Sequence, residues 1–129
     1  MPDSKAKILC IDDDPDVLDF LKIVLEGAGY EFLGAEGAET GLEAYRAHHP
    51  DVVIVDLMME EVDSGAGLAK ELRLLGNRAP VFLLSSVGDN LNLATDTVTL
   101  GLAGVFQKPL AAAHLLTVIE ATLAEAPQA

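Results

Sequence analysis

Val52-Val53-Ile54-Val55-Asp56 is a run of four apolar residues closed by a carboxylate. So short an apolar run, with no polar alternation, predicts a strand buried on both faces, as in the interior of a parallel sheet. Lys7-Ile8-Leu9-Cys10-Ile11 has the same character and stops at Asp12-Asp13. Pro80 to Leu84 forms another such strand, ending on Ser85-Ser86, and Val105-Phe106 is a short one, ending on Lys108-Pro109. Tyr30 to Ala35 reads as a less apolar strand.

Stretches of helical period separate these strands. Asp14-Pro15 opens the first with an Asx cap and a proline in the first turn. Val17, Leu18, Leu21, Val24, Leu25 and Ala28 line one face, and Gly29 closes it. Ala38 to His48 is helical with Leu42 and Tyr45 inward, and His49-Pro50 breaks it. After an acidic loop, Leu68, Ala69, Leu72 and Leu75 mark a third helix, and a fourth, rich in Thr, follows Asp89-Asn90. The last carries Leu115, Leu116, Ile119 and Leu123. Alternating strands and helices call for right-handed crossovers, hence an α/β fold: one doubly wound, five-stranded parallel sheet with helices on both faces. Such sheets bind ligands beyond the C-terminal ends of their strands.

A chain of 129 residues fits one domain, with a core from about 5 to 124 and a short tail, Glu125-Ala126-Pro127-Gln128-Ala129. Half the residues are hydrophobic and the mean hydropathy is +0.33, which suits elements buried on more than one side. No apolar run approaches the roughly 20 residues of a membrane span, and the N-terminus has no secretion pattern, so a cytoplasmic protein is expected. The single cysteine, Cys10, allows no internal disulfide and reads as a small buried side chain. A net charge of -13 argues against direct binding of nucleic acid and leaves proteins, small phosphates or cations as partners.

The residues that end the apolar runs are the informative ones. Asp12 and Asp13, Asp56, Ser85 and Lys108 all fall at one edge of the expected sheet. Carboxylates gathered about 4 Å apart cost about 4 kcal/mol per pair at an effective dielectric of about 20, so a positive group must offset them. All-oxygen ligands suit a hard divalent ion, Mg²⁺ or Mn²⁺. With Lys108 and Ser85 ready to receive phosphoryl oxygens, one carboxylate is free to attack phosphorus. Asp56 stands alone on its strand and is the candidate nucleophile; Asp12 and Asp13, being adjacent, suit the metal. Asp14 and Asp16 read as helix cap and first-turn charge, Ser86 as a neighbour of the working hydroxyl, and His48, His49 and His114 as surface residues without metal spacing.

Ile11-Asp12-Asp13-Asp14-Pro15, Val55-Asp56-Leu57-Met58-Met59, Ser85 and Lys108-Pro109, in this order and spacing, resemble the motifs of response-regulator receiver domains over nearly the whole chain. The resemblance implies a flavodoxin-like strand order 2-1-3-4-5, with Asp56 as phosphoacceptor. It makes Asp12 and Asp13 metal ligands with Asp56 and the main-chain carbonyl of Met58, Ser85 the switch hydroxyl, and Lys108 the phosphate-binding lysine. A cis peptide would precede Pro109. The donor would be a phosphohistidine on a sensor histidine kinase or a histidine phosphotransfer protein. Output would be by contact, through the face of the fourth helix, fifth strand and last helix, to a downstream protein or a second copy in a homodimer. On this reading the chain is a signalling phosphoacceptor that assists its own chemistry, not an enzyme.

Two departures stand out. The loop Glu60-Glu61-Val62-Asp63-Ser64-Gly65 is one residue longer than the family pattern and more acidic, and Val105 occupies the place where the family has a switch aromatic. Phe106, one residue on, faces the other way and belongs to the core, so switching is expected to run through Val87 to Leu93. The rival reading in another class is a haloacid-dehalogenase-like, Mg²⁺-dependent phosphohydrolase, suggested by Asp12-x-Asp14 with Ser85 and Lys108. It lacks a late acidic pair, since only Glu120 and Glu125 follow Lys108, and it has no use for Asp56. A receiver-like binding module that signals without phosphorylation is the third reading.

Met58 and Val87 flank the acceptor, and neither side chain can orient a water for attack on an acyl phosphate. The phosphorylated chain is therefore expected to survive well beyond seconds in Mg²⁺ buffer, and Met58→Asn to shorten its lifetime, as followed by loss of phosphate over time.

Overall fold

Strands with uninterrupted apolar runs need cover on both faces, and the computed structural model, which describes residues 6–57, 64–86 and 102–125, provides it. Its elements are β1 (Lys7–Ile11), α1 (Pro15–Gly27), β2 (Glu31–Ala35), α2 (Ala38–His48), β3 (Val52–Asp56), α3 (Ser64–Leu74), β4 (Val81–Ser85), β5 (Gly104–Gln107) and α4 (Ala112–Glu125). The sheet has the order β2-β1-β3-β4-β5, with every neighbouring pair parallel. This is the doubly wound sheet that the run pattern predicts, in the flavodoxin-like order that the resemblance implies.

Alternation along the strands splits the core in two. Leu9, Ile11, Val53, Val55, Val81 and Leu83 face α2 and α3, where Leu68 and Leu72 cover them. Ile8, Cys10, Val52, Ile54, Phe82, Leu84 and Phe106 face α1 and α4, where Leu21, Leu25, Leu115 and Ile119 are wholly buried. Burying each of those four side chains contributes about 2 kcal/mol before entropy is counted. Val105 packs on the first face and Phe106 on the second, so the aromatic at 106 is core, stacked 5.1 Å from Phe82. Cys10 is buried, and desolvation, helped by the charge of Asp12, pushes its thiol well up, out of reach as a nucleophile.

Asp14 caps α1 as expected, its carboxylate accepting from the Asp16 N–H at 2.9 Å, with Pro15 in the first turn. Some boundaries move. Ala28 is the exposed C-cap rather than a buried face residue, and Gly29 beyond it takes φ +92°. β2 begins at Glu31, and β4 runs from Val81 through Ser85, because Pro80 has no N–H to give a ladder. Ser64 and Gly65 open α3 instead of closing the acidic loop. Leu75 lies past the end of α3 and is 47% exposed, not inward. The helix expected after Asp89-Asn90, the switching segment Val87 to Leu93 and loop positions 60–63 lie outside the described residues. Among the described residues, no helix is long and apolar enough to cross a membrane.

Gly41 marks the closest approach of α2 to the sheet: a Cβ there would lie 2.6 Å from Ile11 Cδ1 and 3.3 Å from its Cγ2. Gly67, in α3, has nothing within 4 Å of the same position. Both glycines weaken a helix by about 1 kcal/mol relative to alanine. Gly67→Ala should therefore raise stability by about 0.5–1 kcal/mol. Gly41→Ala should lower it by about 1 kcal/mol, because overpacking against the buried Ile11 outweighs the same helical gain. Urea melts of the two variants would separate these effects.

Candidate functional site

The ends of β1, β3, β4 and β5 meet at one edge of the sheet. Asp12 leaves β1 fully buried, its N–H donating to the Ala35 carbonyl at 3.0 Å. Its Oδ1 accepts the Asp14 N–H at 2.9 Å, so the turn that starts α1 also orients this carboxylate. Asp56 is the last residue of β3 and is 3% exposed, while Asp13 is exposed at the rim. One oxygen from each of Asp12, Asp13 and Asp56 lies within 4.8 Å of the others.

Lys108 follows β5, and its N–H donates to the Ser85 carbonyl at 2.8 Å, which ties the residue to the end of β4. The peptide that leads from it to Pro109 is cis. Its ammonium reaches Asp12 Oδ2 at 3.1 Å and Asp56 Oδ1 at 3.3 Å. Partial burial alone would lower its pKa. The neighbouring carboxylates, Asp12 first and then Asp56, outweigh that and hold it above the ordinary lysine value, so the group stays cationic. Ser85 is 3% exposed at the end of β4, next to the Asp56 strand, whereas Ser86 is exposed; of the two, Ser85 is the one inside the site.

Among the described residues, one cation facing three carboxylates leaves the cluster short of positive charge. Asp12 Oδ2 is buried and, although the Lys108 ammonium is close, makes no hydrogen bond of acceptable geometry. An orphaned buried oxygen beside two further carboxylates is a donor set that fits a hard divalent cation. Asp12, Asp13 and Asp56 are therefore brought together as the sequence predicts. The Met58 carbonyl lies outside the described residues. Two features escape sequence reading: the Lys108 contact with Asp12, and a groove beside Asp13 lined by Glu36, Gly37, Glu39 and Thr40. Glu36 follows the end of β2, so the rule that selects the other strand ends would have drawn attention to it.

The family model for the response regulator receiver domain matches residues 8–120. The chain belongs to this family. The receiver domain is 30% identical over 118 residues to the chemotaxis protein CheY of Bacillus subtilis, covering 91% of this chain and 97% of that protein. It is 35% identical over 85 residues to ycf27 of Porphyridium aerugineum, described as a probable transcriptional regulator. That match takes in 66% of this chain but only 35% of the regulator, so the chain spans about a third of that relative's length. Among solved structures, a response regulator receiver domain protein from Clostridium thermocellum superposes with a TM-score of 0.83 at 30% identity, covering 92% of this chain and 94% of that one. A receiver domain is a component of two-component signalling, and this one has the acidic cluster that suits Mg²⁺ in such domains.

Because carboxylates outnumber cations in the cluster, removing one should relieve repulsion when metal is absent. Asp13→Asn is expected to raise the melting temperature by a few degrees in chelator-treated buffer. The same variant should lose most of the further stabilisation that added Mg²⁺ gives the unaltered chain, read as the shift in melting temperature with and without the ion.

Proposed function

We propose that this receiver domain accepts a phosphoryl group on Asp56 from a phosphohistidine of a sensor histidine kinase or histidine phosphotransfer protein, in the cytoplasm. The observation that carries the reading is the Lys108 ammonium held between Asp12 and Asp56, at 3.1 and 3.3 Å, beside a buried carboxylate at the end of β3. Salt-bridged this way, the lysine is positioned where negative charge will grow.

In the transfer, an Asp56 carboxylate oxygen forms a bond to phosphorus as the bond from phosphorus to the donor imidazole nitrogen breaks, and the ring leaves with that electron pair. Lys108 exchanges a carboxylate partner for a phosphoryl oxygen, and Ser85 is placed to donate to another. Asp12, Asp13 and Asp56, with the Met58 carbonyl, would hold Mg²⁺ or Mn²⁺. When bound, the ion supplies the positive charge that lets an anionic donor approach three carboxylates. Asp12 has one oxygen committed to the Asp14 N–H at 2.9 Å, which suits it to hold the ion rather than to attack. The chain then acts as a signalling phosphoacceptor rather than an enzyme, passing its state to a downstream protein through the face that includes β5 and α4.

Incubation of the full chain with acetyl phosphate and Mg²⁺, followed by mass spectrometry, should add one phosphate, mapped to Asp56. Asp56→Asn should abolish the label, and Lys108→Ala should leave labelling reduced. A label absent from the unaltered chain, or retained by Asp56→Asn, rules the reading out.

A further inference from the structure

Three large apolar side chains stand in the open on the described surface: Ile23 at 73%, Leu74 at 78% and Leu75 at 47% exposure. Ile23 is alone on α1, and a single exposed apolar residue is ordinary. Leu74 and Leu75 are neighbours, one ending α3 and the other opening the turn behind it. They lie at the end of the sheet remote from Asp56.

Around these leucines the sign of the surface changes. Arg73 is in the last turn of α3, Arg46 in the last turn of α2, and Arg78 is exposed just past the leucines. The Tyr45 hydroxyl donates to Asn77 Oδ1 at 3.1 Å, and Asn77 is itself fixed by two hydrogen bonds with Ala79, of 2.8 and 3.0 Å. That link holds the ends of α2 and α3 together, so Arg46 and Arg78 flank one corner. Asp51, the nearby acid, accepts the Lys7 N–H at 2.7 Å and keeps its charge, while the Lys7 ammonium, on the His48 carbonyl at 3.3 Å, adds a cation to the same end. Glu43 and Glu71 lie further back along their helices. Arginines in a last helical turn complement the helix dipole, which accounts for Arg46 and Arg73. It accounts neither for Arg78, which is beyond the helix, nor for two adjacent leucines left in water.

We propose that this corner, Leu74 and Leu75 flanked by Arg46 and Arg78, docks a segment of a partner protein that presents an apolar side chain among carboxylates. Charge complementarity selects that occupant. A chain of net charge -13 repels an acidic segment over most of its surface, and this corner is where it is attracted. A second copy would bring its own -13 with it, which disfavours self-association here. The corner is at the opposite end of the sheet from the phosphoacceptor. The inference goes beyond the proposed phosphoryl chemistry and does not rest on it.

The test is to titrate isotopically labelled full-length chain with a short synthetic glutamate-rich peptide carrying a central leucine pair, followed by amide NMR. Saturable shifts confined to the segments around Arg46 and Arg73–Arg78 are expected. Leu74→Ser and Arg78→Glu, both exposed positions whose variants should melt as the unaltered chain does, should each weaken binding roughly tenfold. The same peptide with glutamine for glutamate should bind as weakly, and Ile23→Ser should change nothing. Absence of saturable binding, shifts centred elsewhere, or undiminished binding by Leu74→Ser would overturn the proposal. So would self-association of the unliganded chain that Leu74→Ser abolishes, which would assign the corner to a second copy.

Discussion

Every strand of the sheet points the same way, so each residue that ends an apolar run arrives at the same edge. The chain places carboxylates at two of those ends and so concentrates like charge where the fold leaves least room for water. At the separations found, within 4.8 Å, each pair of carboxylates costs about 3–4 kcal/mol at an effective dielectric of about 20. The fold tolerates this because Lys108 is tied through its backbone to Ser85 and can extend its ammonium between Asp12 and Asp56. Among the described residues, one cation against three anions is an incomplete compensation, and the shortfall suits a hard divalent ion.

The two halves of the core leave that edge free to be polar. Alternating strand residues satisfy α1 and α4 on one face and α2 and α3 on the other, so stability is drawn from positions that the site does not use. Where the site does borrow from the scaffold, it does so through backbone groups. The Asp14 N–H that orients Asp12 is also part of the turn that starts α1, and the Asp14 carboxylate is then spent on capping. Asp14 is therefore more than a cap: its N–H converts a helix start into a fixed Asp12 carboxylate.

Charge is spread unevenly over the described surface. Carboxylates dominate the phosphoacceptor end, where Glu36 and Glu39 extend the acidic rim beyond Asp13. Arginines gather at the other end, held in register by the Tyr45 to Asn77 hydrogen bond.

The strands, the sheet they form, the single carboxylate ending β3 and the cap of α1 could be read from residues alone, because apolar period and capping chemistry are local. So could the opposite facings of Val105 and Phe106, which follow from strand alternation. The helix end at Leu75 was misread, since an apolar residue in phase with a helix says nothing of whether anything covers it. Glu36 could have been found by the strand-end rule, whereas the closeness of the ends of α2 and α3 was not legible, because the Tyr45 to Asn77 hydrogen bond joins segments that only the packed helices bring together. The sequence by itself determined which groups arrive at the functional edge. Only the tertiary structure decided that Lys108 serves Asp12 as well as Asp56, because the reach of an ammonium group between two distant segments depends on how their backbones are docked.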